Sequence, residues 1–152
     1  MGLTVALSGD DTLVINNQTL TTLSNQDPAT LEFPNDVVAM EQGKNGSVIY
    51  AQNNMGFMCD LTARVLLAGV DDKYLNSVLQ QQISAFSDFS LITGTFYKRV
   101  GDGNGNISTV VYQLSGGAIL KGIEAMTSAN GNVNQSNAIW RFRFGLWVRS
   151  II

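Results

Sequence analysis

The chain reads as a mainly antiparallel β protein (α+β) with one α-helix. Three observations predict this. Runs of alternating apolar and polar residues recur along the 152 residues, which is the period of a half-buried strand. Turns rich in Asn and Gly join these runs, so neighbours pair as hairpins. Only one stretch has helical spacing. No linker or repeat divides the sequence, and residues 1–152 are read as a single domain.

The elements follow in order. Residues 3–7 and 12–23 read as short strands, with Thr12–Ile15 and Thr19–Leu23 flanking a turn at Asn16-Asn17-Gln18. Asn25-Gln-Asp-Pro28 is a loop. Pro34 confines the run Thr30–Phe33 to a sheet edge, because proline cannot donate to a ladder. Val37–Gln42 and Ser47–Gln52 form a hairpin across Gly43-Lys-Asn-Gly46, and Asn-Gly between apolar runs is the strongest local hairpin signal. After a turn at Asn53–Gly56, the run 57–67 puts Phe57, Cys59, Leu61, Ala63 and Val65 on one face and Asp60, Thr62 and Arg64 on the other. A helix is predicted over 72–87 with Asp71 as N-cap; its stripe is Tyr74, Leu75, Val78, Leu79, Gln82, Ile83 and Phe86. Strands follow at 91–100 and 107–114, around the turn 101–106. Gly116-Gly117 is expected to break the second of these, with a further strand over 118–128. A polar loop from Asn130-Gly131 then leads to a last strand, 137–152. There Trp140, Phe142, Phe144, Leu146 and Val148 share an apolar face, and Ile139, Arg141, Arg143, Gly145, Trp147 and Arg149 share the other.

Composition narrows the function classes. The chain has no histidine, one cysteine and a net charge of −3. A chain without imidazole lacks the commonest general base and metal ligand, so the expectation is a structural building block, not an enzyme, with no cofactor and no metal. Its charged fraction is 14%, well below the usual quarter, and weakly charged polar surface suits burial between subunits. A net-acidic domain does not hold nucleic acid by counterion release. Cys59 cannot form an internal disulfide. No run is long and apolar enough to span a membrane, and the first residues lack the basic segment of a signal peptide and the Ser/Thr of a myristoylation motif.

Four motifs invite chemistry and are read otherwise. Gly101-Asp-Gly-Asn-Gly-Asn106 precedes a strand-like run, where a dinucleotide loop would precede a helix. As a calcium loop it has Ile107 at the position that needs Gly and Gln113 at the position that needs Glu. It is a hairpin tip. Cys59, on an apolar face with no base to activate it, is core. Asp10-Asp11 would point to opposite faces of a strand and Asp71-Asp72 would cap a helix, so neither is an acid–base pair. The arginine row of the last strand is too narrow a basic field for a single-strand nucleic-acid platform, and reads as a face covered by the helix or pairing with acidic groups of a neighbour.

Length, acidic cysteine-poor composition and the order hairpin, central helix, hairpin together resemble the tail tube subunits of contractile-tailed bacteriophages (myovirus type). The resemblance covers nearly the whole chain. Its most characteristic stretch runs from Ile92-Thr-Gly-Thr-Phe-Tyr-Lys-Arg-Val-Gly-Asp-Gly through Val111-Tyr-Gln-Leu-Ser-Gly-Gly, similar to the paired strands and glycine turn of that family. It implies an antiparallel β-sandwich or barrel with one flanking helix. It further implies hexameric rings that stack into a hollow tube in the virion tail, made in the host cytoplasm, with sheath, baseplate and tail terminator proteins as partners and DNA passing without specific binding. On this analogy Lys44, Asn45 and Gly46 are expected at an inter-ring contact, and Asp60, Thr62 and Arg64 are candidates for the lumen. Two alternatives stand beside it: a monomeric β-sandwich that binds carbohydrate or protein, and the tube subunit of a tailocin or secretion-type contractile system.

Overall fold

The computed structural model describes residues 4–7, 11–24, 28–125, 127, 131 and 136–152. Residues 1–3, 8–10 and 25–27 and most of 126–135 lie outside the described residues, so the expectations made there, Asp10 of the pair Asp10-Asp11 among them, are not taken further. The described elements are β1 (Ala6–Leu7), β2 (Thr12–Ile15), β3 (Gln18–Thr19), β4 (Ala29–Glu32), β5 (Val38–Gln42), β6 (Val48–Gln52), β7 (Cys59–Leu66), α1 (Val70–Ser84), β8 (Ile92–Gly101), β9 (Ile107–Ile119) and β10 (Asn137–Ile151). The fold is mainly β, with antiparallel sheets and a single flanking helix, as in a β-sandwich.

The main sheet has the order β3-β2-β8-β9-β10-β7-β4, with β1 beside β8. The segment 20–24 links its two sides. The Leu20 amide donates to the Leu13 carbonyl on β2, and two residues later the Thr22 carbonyl accepts from the Leu66 amide on β7. Leu23 then bridges Val65. The expected first strand, Thr12–Ile15, is β2, whereas the second, expected over Thr19–Leu23, is the short β3 followed by a crossing. Asn16 and Asn17 make the turn between them, both at positive φ (50° and 66°), the geometry of a type I′ hairpin.

The core lies inside this curled sheet. Leu13, Ile15, Leu61, Val65, Trp140, Phe142 and Phe144 are fully or almost fully buried. On β7 the alternation holds as expected from Cys59 to Val65, but Phe57 belongs to a 3-10 turn at Asn54–Phe57. Helix α1 closes the core side with Leu75 and Val78.

The helix corrects the sequence reading in three ways. It starts at Val70 with Gly69 as N-cap, and it ends at Ser84. Asp71 is not the cap: it is buried in the first turn, where Oδ2 accepts from the backbone amide and the hydroxyl of Thr22. Asp72, also in the first turn, accepts from the amide of Ala68, the residue before the cap, at 2.8 Å and from Trp140 Nε1 at 3.0 Å, where a carboxylate meets the positive end of the helix dipole. Ile83 and Phe86, expected on the buried stripe, are exposed.

Gly116-Gly117 does not end a strand. β9 runs through both glycines to Ile119, and the strand expected over 118–128 stops there. The Phe144 ring explains Gly117: a Cβ on that residue would sit 2.4 Å from the ring, nearer than any van der Waals contact. Gly116, at φ +66°, coincides with the one-residue shift between β8 and β9, which is a β-bulge. Past this point the faces exchange. Leu146 and Val148 are 46% and 50% exposed, so they leave the apolar face of Trp140 and Phe142. Trp147 is covered instead: its ring lies 4.8 Å from Phe33, and its Nε1 donates to the Gly56 carbonyl.

Candidate assembly surfaces

Three surfaces remain after the core is accounted for. The first is the β5–β6 hairpin, a separate two-stranded sheet. Its tip is built by local geometry: the Gly43 amide donates to the Ser47 carbonyl, the Gly46 amide donates to the Gly43 carbonyl, and Gly46 sits at φ +82°. Lys44, Asn45 and Gly46 therefore lie at the end of an arm. Every residue of both strands is exposed. Cross-strand register puts Met40 opposite Tyr50, Val38 opposite Gln52 and Val48 opposite Gln42, so one face of the arm carries Val38, Met40, Val48 and Tyr50. Met40 is 63% and Tyr50 68% exposed. An isolated two-stranded hairpin is at best marginally stable in water, and nothing among the described residues covers this one.

The second surface is the far half of β10. β7 pairs with β10 only from Asn137 to Phe144, while β9 pairs with it on to Ile151. Beyond Phe144, among the described residues, no strand occupies the side that β7 leaves. The 3-10 turn Asn54–Phe57 lies beside the first residues past Phe144, and the edge beyond it carries Val148 and Ile151, both substantially exposed. Exposed apolar edge strands template pairing with another chain.

The third surface is the polar face of β4, β7 and β10, turned away from core and helix. Register sets Glu32 beside Asp60 beside Arg143, and Thr30 beside Thr62 beside Arg141. Asp60, Thr62 and Arg64 are thus brought onto one outward face, half-buried among the neighbouring strands. Arg143 grips Asp60 in a two-pronged pair, Nε to Oδ1 at 2.7 Å and Nη2 to Oδ2 at 3.2 Å. The carboxylate holds the guanidinium more firmly in its charged form, through that hydrogen bond first and through charge second. Within the chain, Arg143 of the arginine row is thus paired with an acid on the adjacent strand. Arg149 instead donates to the Tyr112 hydroxyl and lies over its ring.

The remaining chemistry-bearing groups are structural. Burial raises the Cys59 thiol to about 11, with the Asp60 charge adding to the effect, so it is a poor nucleophile at neutral pH. Asp102 folds the hairpin tip onto itself, accepting from the Asn106 side-chain amide and from the Asn104 and Asn106 backbone amides. Those hydrogen bonds, the Asn106 side chain foremost, hold its carboxyl below the usual range. Among the described residues no three His, Cys, Asp or Glu side chains converge as a metal site, and no helix is long and apolar enough to cross a membrane.

Sequence reasoning located the arm tip and the polar face of β7. It missed the open edge of β10 and the detachment of the arm. Both depend on which strands end early, and the exposed alternation Leu146, Val148 was the only sequence trace of the first. No protein-family model matches this chain. No curated protein matches it either.

Proposed function

We propose that this chain is the structural subunit of a contractile phage-type tail tube, in which six copies close into a ring and rings stack into a hollow conduit for DNA. The observation that carries the reading is the arm: two paired strands, apolar on one face, with every residue open to solvent. Such an element is retained only if something covers it, and another copy of a self-assembling subunit does so. The open edge of β10 supports the same reading, because a ring closed by strand pairing leaves no edge exposed. The tip Lys44-Asn45-Gly46 then reaches a neighbouring ring. The polar face with Asp60, Thr62 and Arg64 is the side assigned to the lumen. Its arginines are offset by Asp60 and Glu32, and a passage with little net positive charge lets phosphate slide without retaining it.

The test is assembly of an arm variant. Met40→Asp with Tyr50→Asp leaves the monomer folded, because neither side chain is packed on the body, and abolishes the growth of scattering particles. A double variant that assembled at the wild-type rate would overturn the role of the arm, and the conduit reading would lose its main support.

A further inference from the structure

The turn between β8 and β9, Gly101-Asp-Gly-Asn-Gly-Asn106, is not used by the three assembly surfaces. It places an asparagine before a glycine at Asn104-Gly105, as the arm tip does at Asn45-Gly46. The two pairs differ in what holds the glycine amide. The Gly46 amide donates to the Gly43 carbonyl at 3.1 Å. The Gly105 amide has no hydrogen-bond partner among the described residues, and neither does the Asn104 side chain. Asn104 and Gly105 are both exposed, and a Cβ built on Gly105 would meet nothing within 4 Å. We propose that Asn104 is a self-modifying site, where intramolecular attack by the Gly105 amide nitrogen turns the side-chain amide into an acid as the protein ages.

The step needs no co-reactant but water. The Gly105 nitrogen bonds to Asn104 Cγ and gives up its proton, the Cγ–Nδ2 bond breaks, and ammonia leaves with that proton. Water then opens the five-membered imide at either carbonyl, giving aspartate or isoaspartate. Glycine permits the approach because it has no Cβ to hold its nitrogen away from the closing ring. An amide that already donates to a carbonyl must first be released, and that is the position of Gly46. The neighbouring pair Asp102-Gly103 does not share the reactivity. Asp102 Oδ1 accepts from the Asn104 and Asn106 amides and Oδ2 from the Asn106 side chain. Those bonds keep the acid ionised, and a carboxylate offers the attacking nitrogen no neutral leaving group. The same bonds hold the residues on either side of Gly105 in the turn while its own nitrogen stays free. The product sets a second carboxylate close to Asp102 in the chain and takes the net charge from −3 to −4, one neutral amide becoming one acid.

The inference stands apart from the conduit reading, because the reaction needs one copy only. Full-length wild-type protein is incubated in mildly alkaline buffer, native in one sample and unfolded in urea in another. Peptide mapping by mass spectrometry follows the amide-to-acid mass gain at Asn104 and at Asn45; the urea sample gives the ratio of the two rates that the local sequences alone set. The asparagine of a third pair, Asn130-Gly131, lies outside the described residues and is mapped alongside. In the native protein Asn104 is expected to convert, and the ratio of its rate to that of Asn45 to exceed the urea ratio by about 2- to 10-fold, the factor for the one hydrogen bond that the Gly46 amide must break. A native ratio equal to or below the urea ratio overturns the proposal. So does a native Asn104 that keeps its amide over the time in which the unfolded chain loses it.

Discussion

The Gln82 side chain pairs with the backbone of Ile119 as a neighbouring strand would. Its Nε2 donates to the Ile119 carbonyl and its Oε1 accepts from the Ile119 amide, both at 2.9 Å. β8 has already ended here, since its last pair with β9 is Ile92 with Gly117. The helix thus supplies the partner that the sheet lacks. Gln82→Leu removes both bonds and leaves a buried donor and acceptor unpaired, which costs about 2–4 kcal/mol. Urea unfolding of the variant checks this. A midpoint unchanged from wild type would show that water reaches Ile119.

Phe144 needs Gly117 beneath its ring. Gly117→Ala is expected to destabilise by about 1–3 kcal/mol through overpacking, read as a lowered melting temperature. Gly105→Ala serves as a comparison for a glycine with open space around it, although its φ of +88° adds backbone strain of its own. A Gly117→Ala protein as stable as wild type would mean that β9 shifts freely under the ring.

The bidentate Arg143–Asp60 pair is exposed, so it orders the polar face more than it stabilises the fold. Asp60→Asn should leave the urea unfolding midpoint close to that of the wild type. A large fall in the midpoint would mean that the pair is covered in the assembled particle. On the conduit reading, charge reversal at Asp60 slows DNA passage while tubes still form; passage at the wild-type rate would remove Asp60, Thr62 and Arg64 from the lumen.

Much of the fold was legible because turns and alternation are local. Asn16-Asn17, Lys44-Asn45-Gly46 and the β7 alternation each lie within a few residues of sequence. What failed was long-range. Gly116-Gly117 looks like a strand break unless Phe144 is known to lie across from Gly117. Leu146 and Val148 look like core unless the bulge that exchanges the faces is known. Asp71 looks like a cap, because its partner Thr22 is 49 residues away. The candidate site divides in the same way: the arm tip could be read from Asn-Gly, but the exposure of both arm strands could not.

Cys59 gives a pH signature. Its thiol titrates near 11 when folded, against an ordinary value of 9.0. The unfolded chain therefore loses its proton first, and the stability from the buried neutral thiol is present below about pH 9 and declines as pH rises toward 11. Cys59→Ala should flatten that decline. At pH 8 the native protein should resist a thiol reagent that labels it readily in urea. Rapid labelling of the native protein would show that β7 opens.

The most direct measurement is negative-stain electron microscopy of the purified wild-type protein, with light scattering on the same sample. Stacked rings or hollow tubes, with a mass many times that of the monomer, are the expected result. A monomer at every concentration that also fails to add to preformed tube seeds would contradict the conduit and leave a monomeric binding module as the better description.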